Sequence, residues 1–441
     1  MKIYKLKFIV LLAATVLASC SDYSDGFNDD PNNFQEAPGN LLIGQANLSV
    51  LVLSESGVAR TAGIFSDQFT GDDRQYIPLN NYITTAGDYD GMWNDIYADG
   101  LKEAVLAEQS GAEDGDQILE GVAQIIQGLL LGEAAALWGD VPFSEALNFI
   151  DFPNPSYDEQ ATVLQNVQEI LSNGIANVGS AGVGIYGVPV YEDNNALWAE
   201  IGHSLKARYY MIAGDYPNAL LEARLGISSR ENDLVSSHGT ADGSQNMFYQ
   251  FTVLYRPGYM NVSNSHLRKL VQGEVPRALP TPGDVQRDAF YFFDNTTSEK
   301  IELNTNEDGF FAIDAGFPIV SWYETKLIEA EAAFRTSGDA LTPFNEVRAE
   351  LSVQYGAAFP PSASVGDQLL EEILEEKYIT LIGSAQVYHD LRRTDNLIGV
   401  PVKGANATTI PQRFLYPQTE IGANENFPGL IDLFEETDVN K

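Results

Sequence analysis

One cysteine, four histidines and 25 basic residues set against 62 acidic ones are the scarcities of this 441-residue chain. A lone cysteine excludes an internal disulfide framework. With the four histidines dispersed at 203, 238, 266 and 389, it also excludes a Cys/His metal site, and no metal or other cofactor is expected. The net charge of −37 argues against nucleic acid or an anionic lipid surface as partner, because both would be repelled. Motifs of catalysis are missing as well. There is no G-x-S-x-G elbow, no H-E-x-x-H helix and no G-x-x-x-x-G-K-[ST] loop, so no catalytic residue is assigned. The acid pair of a glycoside hydrolase has no fixed spacing, and an outer-membrane hydrolase stays open as the minor alternative.

The single cysteine is informative by position. Lys2, Lys5 and Lys7 precede an apolar run over 8–18, and Leu17-Ala18-Ser19-Cys20 follows. Basic start, short apolar stretch and small residues before the cut describe a signal peptide, and the run is too short to span a bilayer. A cysteine at the cut offers its thiol for acylation, giving durable membrane attachment. We therefore read 1–19 as a lipoprotein signal, Cys20 as the lipidation site and 20–40 as a polar tether and lead-in. Removal of the signal leaves 441 − 19 = 422 residues with a charge of (25 − 3) − 62 = −40. No second apolar run of membrane length is expected.

Beyond the tether, helical periodicity dominates. Ile118, Val122, Ile125 and Leu129 repeat at helical spacing while Ile126, Leu130 and Leu131 make other faces apolar, which predicts a largely buried helix. Gly121, Gly128 and Gly132 lie where a neighbouring helix could approach. Over 195–227, Trp198-x-x-Ile201-Gly202 and then Gly214-Asp215-Tyr216-x-x-Ala219 with Ala223 give a degenerate tetratricopeptide pattern. It recurs at Tyr323, Leu327, Ala330 and Phe334 with Gly338-Asp339 as the turn. Thr342 as N-cap with Pro343 at the first helical position, and Ser364 with Asp367 as a capping box, mark two further helix starts. The fold class is mainly α: a tetratricopeptide-like helical repeat scaffold with long irregular loop insertions and a few short strands. One domain over 41–441 is expected, with insertions near 65–90, 228–315 and 397–441 and strand-like pieces at 289–294 and 309–313. Loops of such length usually carry function.

Several segments resemble SusD/RagB-type outer-membrane nutrient-binding lipoproteins of Bacteroidetes, on the SusD-like branch. These are Phe27-Asn28-Asp29-Asp30-Pro31-Asn32-Asn33, Trp93-x-x-x-Tyr97, Trp138-Gly139-Asp140-Val141-Pro142, Glu376-Lys377-Tyr378-Ile379, Asp390-Leu391-Arg392-Arg393-Thr394 and Pro411-Gln412-Arg413-Phe414-Leu415-Tyr416-Pro417. They keep the family's order across nearly the whole mature chain. The resemblance implies a non-enzymatic, cell-surface lipoprotein facing the exterior of the outer membrane. It implies a lid over a SusC-like TonB-dependent transporter, with an oligosaccharide as cargo or, in RagB-type systems, peptides. A capping protein with no ligand contact is a further alternative. Val275-Pro276-Arg277-Ala278-Leu279 stands where relatives often show Asp-Pro-Arg, and His389 lies at a variable position, which implies divergence in the nearby loop.

Binding a sugar chain calls for exposed rings with polar neighbours. The loop with Gln68, Arg74, Tyr76, Tyr82 and Tyr89 supplies that mix, and Tyr255-Arg256-Pro257-Gly258-Tyr259 is a second such cluster. The ligand-binding candidates are therefore Gln68, Arg74, Tyr76, Tyr82, Tyr89, Tyr255 and Tyr259. Replacing Tyr76 and Tyr82 together by alanine is expected to weaken glycan retention and leave melting nearly unchanged. Packing of these tyrosines onto the scaffold is the competing reading. Trp93, Trp138, Trp198 and Trp322 are read as core, and Arg392 and Arg393 as satisfying buried helix ends or carboxylates. Asn304-x-Asn306-x-Asp308-Gly309 imitates half a calcium loop but lacks the closing glutamate, so it is read as a turn.

Overall fold

The computed structural model describes residues 37–148, 150–192 and 194–441. Cys20, the signal and most of the lead-in lie outside the described residues. Eleven principal helices are α1 Gly39–Glu55, α2 Gly57–Phe65, α3 Lys102–Asp114, α4 Gln117–Trp138, α5 Gln160–Val178, α6 Trp198–Ile212, α7 Tyr216–Ala223, α8 Trp322–Arg335, α9 Leu341–Tyr355, α10 Asp367–Thr380 and α11 Ala385–Arg393. Each of α3 to α9 packs on its neighbour in the chain, so the pairs form one continuous stack, and α1 lies against α3 and α4. This is the mainly α, tetratricopeptide-like arrangement that the repeats imply.

The buried helix α4 shows why the stack is tight. From Gly121 to Trp138 every side is covered. A Cβ at Gly128 would stand 2.5 Å from Leu171 of α5, and one at Gly202 of α6 would stand 2.6 Å from Ile175. Only glycine permits those approaches. By length and apolarity α4 could cross a membrane, contrary to the expectation of no second run, but 89% of that window is buried within the protein. Its hydrophobicity is spent mainly on α1, α3, α5 and α6. Small residues repeat the device further along: Ala207, Ala219, Ala223 and Ala332 bring α6, α7 and α8 into one apolar cluster.

Eight short strands form four antiparallel pairs among the described residues. They are β1 Thr70–Gly71, β2 Val141–Pro142, β3 Tyr157–Asp158, β4 Leu234–Val235, β5 Met260–Asn261, β6 Phe292–Asn295, β7 Lys300–Leu303 and β8 Pro318–Val320, paired β1–β5, β2–β3, β4–β8 and β6–β7. The strand expected over 289–294 is thus half helix, since Asp284–Tyr291 is helical and only β6 is extended. Residues 309–313 are turns, with Phe311 sealed in a core shared with Phe248 and Phe317. Phe311 and Ala312 are buried, while Phe310 and Ile313 keep partial exposure.

Two helix starts also move. α9 begins at Leu341 because Asp339, not Thr342, supplies the cap, accepting from the Thr342 N–H at 3.1 Å and from its hydroxyl at 2.7 Å. α10 begins at Asp367 behind Gly366, while the Ser364 hydroxyl donates to Glu372 at 2.6 Å and is unavailable as a cap.

The four tryptophans are buried, at 0–8% exposure. Distant family segments meet around them: Trp138 Nε1 donates to the Leu415 carbonyl at 2.8 Å, Phe414 N–H to Leu137 O at 2.8 Å, and Tyr416 OH to Asp140 O at 2.7 Å. Arg392 donates to Ala136 O and Gln412 O, each at 2.8 Å, satisfying the end of α4. Arg393 pairs with Glu331 and Asp390.

Candidate binding face

The buried charges come first, because they show what the binding face is not. Glu376 sits between Arg287 (2.7 Å), Arg348 (2.5 Å) and Arg277 (3.2 Å). Burial alone would raise its pKa; the three guanidiniums reverse that and hold it well below the carboxylate range. Glu133 is likewise buried, yet His389 at 3.0 Å and Arg208 at 3.5 Å keep it low, at about 2. Arg277, within the Val275–Leu279 segment that stands where relatives often show Asp-Pro-Arg, and His389, at a variable position, are both structural: their side chains are buried and held by carboxylates.

The face itself begins where α2 ends. The chain reverses and β1 pairs with β5, setting Thr70 opposite Asn261 and Gly71 opposite Met260. That one pairing brings the loop of Arg74 and Tyr76 beside the segment 250–259, uniting the two candidate clusters. Gly71 is needed because a Cβ there would strike the Tyr76 carbonyl. Across the face, Arg256 to Tyr259 closes a turn (Tyr259 N–H to Arg256 O, 3.2 Å) with Pro257 second and Gly258 third at φ +81°, a combination suited to a type II turn.

On this frame four rings and three arginines come together. Tyr76 lies 5.1 Å from Phe251 and 5.9 Å, edge-on, from Tyr259. Arg60 of α2 covers Phe251 at 4.2 Å and donates to the Tyr76 hydroxyl at 3.0 Å. Arg74 and Arg256 reach the Tyr259 ring at 5.8 and 5.9 Å. Arg74 is 74% exposed and its nearest carboxylate, Asp73, is 3.7 Å away, so its donors are largely free. Tyr255 is 57% exposed at the rim. Asp72 is matched by Lys300 and Asn261, each at 2.8 Å, and adds little negative field. A pocket of about 170 Å³ continues from Tyr76, lined by Thr61, Gln75, Ile83, Asp88 and Met92 among others. Exposed rings beside unneutralised guanidiniums suit a ligand with an apolar face and many hydroxyls.

Three candidates are buried, although Tyr89 still lines the wall of the Tyr76 pocket. Gln68 is fully buried, donating to Tyr378 O at 2.7 Å and accepting from Gly383 N–H at 2.9 Å. Tyr82 is 5% exposed, edge-on to Phe65 at 5.7 Å, its hydroxyl accepting from Lys403 N–H at 3.3 Å. Tyr89 is 1% exposed and packs on Phe414 at 5.1 Å. Burial pushes both phenols well above their ordinary pKa. None offers a free ring face or amide, so these three pack the loop onto the scaffold, and a Tyr82 substitution would disturb the core. Tyr259 is nearly covered and serves as the floor under Arg74 and Arg256. Arg60 and Phe251 escaped sequence reasoning: Arg60 sits in a helix read only as scaffold, and Phe251 lies five residues before the Arg-Pro-Gly turn. That aromatic run before the turn was the available signal.

Among the described residues no three His, Cys, Asp or Glu side chains converge as a metal cluster. At the calcium-like segment, Asn304 Oδ1 instead accepts from Asn306 N–H at 3.1 Å, and Gly309 N–H donates to Asn306 O, as a turn requires.

The chain belongs to the SusD-like family, whose profile, described as starch-binding and associating with the outer membrane, matches residues 31–417. Solved structures share the fold. A SusD homolog from Bacteroides fragilis superposes with a TM-score of 0.72 at 15% identity, covering 92% of this chain and 100% of that one. A SusD/RagB family protein from Bacteroides thetaiotaomicron gives 0.67 at 19% identity, covering 89% and 95%. A chitin-binding SusD homolog from Flavobacterium johnsoniae gives 0.71 at 13% identity, covering 92% and 97%. Among curated proteins none matches significantly.

Proposed function

We propose that this protein is a non-enzymatic cell-surface lipoprotein, acylated at Cys20, that binds an oligosaccharide and delivers it to a SusC-like TonB-dependent transporter, acting as its lid. The observation that carries the ligand reading is the convergence of Arg60, Arg74, Tyr76, Tyr255, Arg256 and Tyr259 on one exposed face. Three arginines over rings, with only Asp73 near one of them at 3.7 Å, set fixed donors beside apolar ring faces, which suits a hydroxyl-rich ligand. Pyranose C–H faces stack on Tyr76 and Tyr255, while Arg74 donates to hydroxyl pairs. The family's outer-membrane association and the chitin-binding relative support the class of cargo.

Isothermal titration of the mature protein against starch, chitin and other glycan oligosaccharides, beside a peptide mixture, tests this. A glycan should bind, and Arg74→Ala with Tyr255→Ala should weaken it. Binding of peptides alone would replace the cargo, and a blank panel with retained transporter copurification would reduce the protein to a cap. Radiolabelled palmitate should enter the wild type and fail to enter Cys20→Ala.

A further inference from the structure

A second pocket, of about 230 Å³, opens where α8, α9 and α10 meet the segment leading into β4 and the end of helix Asp284–Tyr291. It shares no residue with the face around Arg74. Its walls are aromatic. Phe290 and Phe310 meet edge to face at 5.6 Å, and Tyr355 approaches Phe290 at 6.0 Å. Both phenylalanines and Tyr355 are only half-buried, so ring surface remains open at the mouth.

Set into these walls are polar groups with unused capacity. The Asp233 carboxylate accepts the Trp322 N–H on Oδ1 at 2.6 Å, and the side chain makes no other hydrogen bond among the described residues. Arg230 lies over Tyr323 at 5.3 Å and donates to Glu350 through Nη1 at 3.1 Å; among the described residues its Nη2 is not engaged, and its Nε is sealed from the pocket. Gln354 accepts the Tyr323 hydroxyl at 2.7 Å on Oε1, and its amide N–H groups are not engaged among the described residues. Burial pushes the Asp233 carboxyl up to about 7, against the Trp322 hydrogen bond and the Arg230 charge. Unpaired polar groups are costly in a closed core, and a ligand with its own donors and acceptors relieves that cost.

The chemistry that fits is narrow. An acceptor (Asp233) and donors (Arg230, Gln354) facing one space suit adjacent hydroxyls, which donate and accept together. Arg230 is already paired with Glu350, and the Asp233 carboxyl is pushed up to about 7, so neither a strong anion nor a strong cation is preferred. The volume falls below the 300–1,000 Å³ range of pockets for larger ligands, leaving room for about one ring. We propose that this pocket is a second carbohydrate site, taking a single neutral pyranose ring independently of the Arg74 face. The ligand class rests on the carbohydrate reading above; the place and its polar groups do not.

Saturation-transfer NMR and crystal soaks of the mature chain with glucose, galactose and N-acetylglucosamine test it. At least one sugar should occupy the pocket, and Gln354→Ala should weaken it about tenfold. Asp233→Asn should act similarly, and if that variant folds poorly, Gln354→Ala on half-exposed α9 still decides. Arg74→Ala with Tyr255→Ala should leave this binding unchanged. No sugar in the pocket, or binding lost with Arg74 and indifferent to Gln354, would overturn the proposal. Oligosaccharide titration scores the Arg74 face separately, so a filled pocket beside a silent face would sink only the earlier reading.

Discussion

Arg348 and Arg74 belong to the same chain and do opposite work. Around Arg348, Arg287 and Arg277 every guanidinium meets a buried carboxylate, centred on Glu376, and the network ties α9 and α10 to the segment between β5 and β6. Around Arg74, Arg60 and Arg256 the guanidiniums lie over rings, and the exposed ones keep donors turned to water. Desolvated charge that is paired and sealed from water, even where Arg287 Nε and Nη1 lack a hydrogen bond among the described residues, offers a ligand no access. Half-solvated charge on an aromatic floor offers that access. The contrast explains why counting acids and arginines along the sequence says little about where binding occurs.

The sharpest way to break the contrast is at the interior. Glu376→Gln would leave three guanidiniums around one uncharged amide, and a loss of about 3–5 kcal/mol in urea unfolding is expected. An unfolding midpoint within error of the wild type would mean the network is not what holds α9 and α10. Next comes Tyr82→Ala, which removes a 5%-exposed ring packed on Phe65 and should cost about 3 kcal/mol, with a clearly lowered melting temperature. This replaces the sequence expectation that Tyr82 could be cut away with melting nearly unchanged.

Acid should find the interior before the face. Glu133 and Glu331 stand at about 2 when folded, against about 4.5 when unfolded. With folded values depressed, their stabilisation is complete above pH 4.5 and drains away as pH falls from 4.5 toward 2. Urea midpoints measured between pH 6 and 2 should fall over that window, and Glu133→Gln should flatten the slope while lowering the plateau. A slope identical in that variant would remove Glu133 from the account. Smallest in stability is the face: Arg74→Ala with Tyr255→Ala should change unfolding by under about 0.5 kcal/mol, as exposed side chains do, yet weaken glycan binding about tenfold. Calorimetry and titration on one preparation separate the two readouts.

Legibility differed by element for physical reasons. The close approach of some helix to α4 and the pairing of α6 with α7 were readable, because glycine and alanine at helical spacing leave a mark in sequence wherever backbones nest. The tryptophans and Arg392 were readable too, since large rings and paired arginines within helices are usually consumed by packing. Helix starts slipped by a few residues where two side chains competed for one cap, as Asp339 and Thr342 do. The site was half legible. Arg74, Tyr76, Tyr255 and Tyr259 do converge, but Gln68, Tyr82 and Tyr89 share their loop and composition and are buried. Nothing local distinguishes a tyrosine that plugs a loop from one that faces water.

By itself the amino-acid order determined the repeat scaffold and the family, because close helix packing demands small residues at fixed intervals and the family segments recur in order. The three-dimensional arrangement alone decided which rings stay open. That choice was made by the two-residue pairing of β1 with β5, by Arg60 arriving from another helix, and by a pocket whose walls come from segments more than a hundred residues apart. Exposure is a property of what lies on the other side of a side chain, and in this molecule the other side is supplied by distant chain.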